Sequence, residues 1–139
     1  MGKVYAGPDG LAHVASPDGS DSALAKEPGQ VSVTDPRLSD DRRIAGWLVE
    51  ERNCCTSYPI ALRLAVYSAG HKQIISDGQM IYDWTFVDGG REVALSTGVV
   101  HGATGRTLSL YDARSGRRLA RWTGGVAAQP PAWAAGLKR

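Results

Sequence analysis

Leu38-Ser39-Asp40-Asp41-Arg42-Arg43-Ile44-Ala45 lines up with Phe86-Val87-Asp88-Gly89-Gly90-Arg91-Glu92-Val93-Ala94 once a single insertion is allowed. Farther along, Leu64-Ala65-Val66-Tyr67-Ser68 matches Leu108-Ser109-Leu110-Tyr111-Asp112. Self-similarity of this kind marks repeated supersecondary units, and it decides the fold class here. Each unit reads as strand, Asp turn, strand, loop, an apolar strand ending in Tyr, a Gly turn and a last strand. The two units cover about residues 31–76 and 80–122. Val4-Tyr5, followed by the Asp9-Gly10 turn, is a candidate fragment of an earlier unit.

Period-two alternation supports the strand reading throughout. Ile60, Leu62, Leu64 and Val66 alternate with Ala61, Arg63, Ala65 and Tyr67. Met80, Tyr82, Trp84 and Phe86 form a bulky face opposite Ile81, Asp83, Thr85 and Val87, and Val93, Leu95, Thr97 and Val99 continue the pattern. The segment Ile44 to Val49 differs: Ile44 and Leu48 point one way, while Ala45, Trp47 and Val49 point the other. A strand apolar on both faces belongs in the middle of a sheet covered on both sides. Four Asp-Gly pairs, at Asp9-Gly10, Asp18-Gly19, Asp77-Gly78 and Asp88-Gly89, suit tight hairpin turns, because both residue types tolerate left-handed backbone.

Helical periodicity is nearly absent. The stretch from Ser22 to Lys26 is cut short by Pro28-Gly29, and Pro131 to Lys138 is brief and holds Gly136. The expectation is therefore an all-β domain of roughly ten short strands. It should comprise two four-stranded antiparallel propeller-blade-like sheets with an irregular N-terminal segment. Residues 1–124 would form this single domain, and residues 125–139 a tail that docks weakly or stays mobile.

The segments Leu38 to Ala45 and Leu110-Tyr111-Asp112-Ala113-Arg114-Ser115-Gly116 resemble the WD-like β-propeller repeats of bacteria. The resemblance covers about residues 31–122. It implies four-stranded sheets and little about function. Propellers need at least about four blades; this chain has two and a possible fragment, so either several chains assemble or the sheets pack as a sandwich-like body. The stretch Asn53 to Ile60 is also similar to bacterial proteins of no assigned function.

A chain of 139 residues suits one domain and can bury a core without a metal or disulfide staple. The formal net charge of +2 is too small to argue for nucleic acid or a membrane surface. Arg114, Arg117, Arg118 and Arg121 do cluster; a solvated strand and turn is the plain reading, a phosphate or carboxylate patch the alternative. No apolar run is long enough to span a bilayer, and no leader pattern opens the chain. A soluble protein is expected, cytoplasmic or extracytoplasmic after loss of a leader.

Cys54-Cys55 is the rarest feature. Neighbouring Cα atoms lie about 3.8 Å apart, below the usual disulfide range of about 4.4–6.8 Å, so two reduced structural thiols are expected. A vicinal disulfide, forming a rigid turn with a flat sulfur surface, is the alternative. Metal binding ranks last, because no spaced Cys or His pair supplies further ligands. His13, His71 and His101 share no motif. Trp47 and Trp84 read as core, and Tyr58, beside Pro59 in the long loop of residues 50–60, as an exposed contact. No carboxylate pair, triad or cofactor fingerprint is visible, and no cofactor is expected. The leading expectation is a non-enzymatic binding or protein-interaction domain contacting a protein or small-molecule ligand through Asn53, Cys54, Cys55, Tyr58, His101 and Thr104. These sit in loops 50–60 and 98–106, which should emerge at one end. The alternative is a thiol-dependent enzyme or redox protein using Cys54 and Cys55. Unpaired sheet edges point to a homodimer joined by the N-terminal strands or the aromatic faces around Tyr82 and Trp84. Three chains sharing six blades is the other assembly considered.

Overall fold

Eleven antiparallel strands make up the described part of the chain, and they fall into three sheets. The computed structural model describes residues 1–99, 105–124 and 128–138. The first sheet has the order β1-β2-β3: β1 (Lys3–Ala6), β2 (Ala12–Ala15) and β3 (Asp21–Ala23). The second runs β4-β5-β6-β7: β4 (Gln30–Leu38), β5 (Ala45–Glu51), β6 (Ile60–Ser68) and β7 (His71–Ile75). The third has the order β11-β10-β9-β8: β8 (Met80–Val87), β9 (Glu92–Gly98), β10 (Thr107–Asp112) and β11 (Arg118–Thr123). The all-β class and the two four-stranded sheets are as the repeat implied.

The N-terminal segment corrects that reading, for it is a regular three-stranded meander. Its two turns are the Asp9-Gly10 and Asp18-Gly19 pairs. Asp9 Oδ1 accepts the Leu11 N–H at 3.1 Å, and Asp18 Oδ1 accepts the Ser20 N–H at 2.9 Å. Gly19 takes φ +93, a left-handed value that few side chains tolerate. Asp77-Gly78 is a different correction: it joins β7 to β8, between sheets, and closes no hairpin.

The sheets stack face to face in a row. Val33, Ala45, Trp47, Val49 and Ala65 of the second sheet pack against Ala12, with Val4 alongside, from the first. Its other face sends Leu48, Leu64, Val66 and Ile75 against Ile81, Trp84, Val93 and Leu95 of the third. The five residues Ala45 to Val49 are accordingly all buried. Gly46 sits where a Cβ would lie 2.6 Å from Trp84 Cη2, so the indole fills the space its missing side chain leaves. Trp47 and Trp84 are both core, as expected.

In β8 the alternation breaks. A register shift between Ile81 and Asp83 places Ile81 in the same core as Trp84 and Phe86. Asp83, 5% exposed, accepts from Arg37 Nη2 at 3.0 Å and from the Lys138 N–H at 2.6 Å. Arg37 also forks onto Asp35, donates to the Trp84 carbonyl and lies over the Trp84 ring. This network ties β4, β8 and the C-terminal stretch together.

The C-terminal stretch is docked. A 3-10 turn, Ala132–Ala134, and Leu137 bury Ala134 and Leu137 against Ala94, Leu108 and Leu110, with Trp122 and Trp133 beside them. This covers the outer face of the third sheet. Because Trp84 is wholly buried, it cannot form the dimer interface expected around Tyr82 and Trp84.

Candidate functional site

The loop between β5 and β6 starts from a rigid base. Glu51 at the end of β5 accepts from Arg63 Nη2 of β6 at 3.0 Å, and the same nitrogen donates to the Pro28 carbonyl at 2.7 Å. Asn53 is half-buried; Cys54 and Cys55 follow in a turn and are exposed. Their sulfurs are bonded to each other, with the Cα atoms 3.8 Å apart. The expected pair of thiols is thus replaced by the alternative, a vicinal disulfide: the turn brings the two side chains to the same side. Thr56 Oγ1 then donates to the Tyr58 carbonyl at 2.6 Å, tightening the segment before β6. Tyr58 is 48% exposed, the exposed aromatic that the sequence placed there.

The second loop leaves the same end. A Cβ on Gly90 would lie 3.0 Å from both Ser39 Cβ and Ile44 Cδ1, so the β4–β5 and β8–β9 turns are neighbours at the opposite end. The β5–β6 and β9–β10 loops therefore leave from the other end together. The base of the β9–β10 loop is pinned by Tyr82, whose hydroxyl donates to the Val99 carbonyl and whose ring lies 3.5 Å from the Arg106 guanidinium carbon. His101 and Thr104 lie outside the described residues. Comparison with family models, characterised proteins and solved structures finds no match.

Sequence reasoning missed a polar cluster on the outer face of the first sheet. His13 on β2 bonds Asp9 through Nε2, at 3.0 and 2.9 Å to the two oxygens, and Asp21 of β3 through Nδ1 at 3.2 Å. The Tyr5 hydroxyl donates to the other Asp21 oxygen, and the Tyr5 and His13 rings stack with centroids 5.0 Å apart. Lys3 Nζ lies 4.7 Å over the Tyr5 ring. The Asp9 bond raises the His13 pKa above its ordinary value, with the Asp21 bond adding to this against partial desolvation. Asp9 is held low chiefly by the Leu11 N–H, and Asp21 chiefly by the Tyr5 hydroxyl, which is itself raised by that bond. The available signal was the Asp9-Gly10 turn, which sets Tyr5 opposite His13. While protonated, His13 donates both ring N–H groups to carboxylates and has no lone pair to offer as a base or metal ligand. Its part is to hold three short strands together.

Among the described residues no helix is long and apolar enough to cross a membrane.

Proposed function

We propose that the chain is a non-enzymatic binding or protein-interaction domain on a β-repeat scaffold, with the β5–β6 loop as its contact surface. The observation that carries this is the exposed disulfide of Cys54 and Cys55, on the same loop as the half-exposed Tyr58 and on a base fixed by Glu51 and Arg63. The ring that the S–S bond closes through both side chains and the peptide between them has few conformers to lose, so a partner that covers it meets little ordering cost. Tyrosine supplies broad contact area for the same reason. Asn53 flanks this surface, and His101 and Thr104 complete the proposed set of contact residues.

The same reading includes a symmetric homodimer. The strand β3 ends a three-stranded sheet beside two four-stranded ones, and its three residues are all exposed. Unpaired strand edges of this kind accept further strands. Light scattering over a tenfold dilution near micromolar concentration should report a dimer that Ala23→Pro, at an N–H facing away from β2, shifts toward monomer; a mass fixed at the monomer value would contradict it.

The contact surface is tested by selecting ligands from displayed peptide libraries against the full chain. Selected ligands should lose at least about tenfold in affinity on Tyr58→Ala and on the Cys54→Ser/Cys55→Ser double change, while the unfolding midpoint stays within a few degrees. Ligands that bind all variants equally would overturn the assignment. Catalysed dithiol–disulfide exchange with a small-molecule disulfide would instead favour a redox role for the cysteines.

A further inference from the structure

At the end opposite the Cys54–Cys55 loop, the seam between the second and third sheets opens into a cleft of about 340 Å³. That is within the range of small-ligand sites, about 300–1,000 Å³. Four hairpin ends converge on it, two from each sheet. Its apolar lining comes from Ile44, Val66 and Ala113, which extend the core between the sheets. Its cationic lining is Arg91 after the β8–β9 turn and Arg114 in the β10–β11 turn, with the imidazole of His71 at the start of β7 beside them.

Those cations are poorly neutralised. Arg114 makes no ion pair among the described residues, and Arg91 meets only Asp88, at 3.6 Å, with both side chains well exposed. Such a pair is worth little in water. The one acid in the lining, Asp112, is committed to its own turn: Oδ2 accepts the Ser115 N–H at 2.8 Å, which keeps the carboxyl ionised and below its ordinary range. An arginine-bearing rim over an apolar floor fits a ligand with a carboxylate head and an apolar body, because guanidinium groups bind carboxylates through paired hydrogen bonds. The negative Asp112 disfavours a doubly charged head. Ala69, at φ +50, forms part of the wall.

We infer that this cleft binds a small monocarboxylate with an aryl or branched-alkyl body, through Arg91 and Arg114. The site is separate from the loop proposed above and stands or falls independently of it. It also gives a role to one member of the arginine cluster seen in the sequence.

The test is a titration of the full chain with 4-(trifluoromethyl)benzoate, followed by fluorine NMR and by amide shifts. Saturable binding is expected, with the largest amide shifts at Gly90 and Ala113. The uncharged 4-(trifluoromethyl)benzamide should bind at least about tenfold more weakly, as should the acid to the Arg91→Gln/Arg114→Gln double variant. Both arginines are exposed, so the variant should retain the parent amide spectrum away from the cleft; the benzamide comparison stands even if it does not. Arg121→Gln should leave binding unchanged. Equal binding of acid and amide, shifts centred elsewhere, or no saturable shift up to roughly 10 mM would overturn the inference.

Discussion

His13 is held between Asp9 and Asp21, and the direction of each shift fixes how pH acts on the first sheet. A raised His13 pKa adds stability that is fully present below its ordinary 6.5 and is lost as pH climbs through the raised value. Lowered Asp9 and Asp21 values add stability present above the ordinary 3.8 and lost as pH falls through the depressed values. The cluster is therefore strongest between about pH 4 and 6.5. Thermal unfolding should show a higher midpoint at about pH 5.5 than at about pH 8.5, and His13→Gln should remove that difference. An unchanged difference in the variant would place the dependence elsewhere. Ala69 offers a second test at this scale. It occupies a left-handed position in the β6–β7 turn, φ +50, where alanine is strained. Ala69→Gly should stabilise by about 0.5–1 kcal/mol, read as a shift in denaturant midpoint at constant slope.

Elements were legible in the sequence to the degree that their side chains carried a two-residue pattern long enough to count. Strand β5 is the clearest case: Leu48 on one face and Ala45, Trp47 and Val49 on the other implied a strand covered twice, and both coverings are present. In the N-terminal sheet the strand around Val4-Tyr5 and the two Asp-Gly turns were legible, but β2 and β3 were not, because each has only three or four residues and what joins them is His13 with its two carboxylates, a tertiary arrangement without a sequence signature. Strand β8 misled because a bulge adds one residue to the count and reverses the faces beyond it. Of the candidate site, the loop and its exposed Tyr58 were readable, but the bond between the cysteines was not, since pairing depends on how a turn orients side chains. The packing of β5 on β8 makes its own prediction. Gly46→Ala would force a methyl against the Trp84 ring and should cost about 1–3 kcal/mol, with a changed near-ultraviolet tryptophan signal. An effect under a few tenths of a kcal/mol would mean that the two sheets separate more easily than their contacts imply.

Across the whole molecule, both end faces of the three-sheet stack are closed by the chain itself. The ion cluster of Tyr5, Asp9, His13 and Asp21 lies on one, and Ala134 and Leu137 cover the other. Repeat stacks need polar or covered ends to stay soluble. Removing residues 128–139 should uncover Ala94, Leu108 and Leu110, producing dye binding and aggregation at concentrations where the full chain stays clear. A truncated chain that stays monodisperse would show that the C-terminal stretch is dispensable. The functional reading depends on a single covalent feature at the other end of the scale, the bond between Cys54 and Cys55, which turns a loop into a fixed surface. The direct measurement is the intact mass of the native chain prepared without reductant, with alkylation in denaturant and peptide mapping across residues 52–59. The mass should fall about two units below that of the reduced chain, with no alkylated cysteine until a dithiol is added. Two alkylated cysteines in the unreduced chain would contradict it.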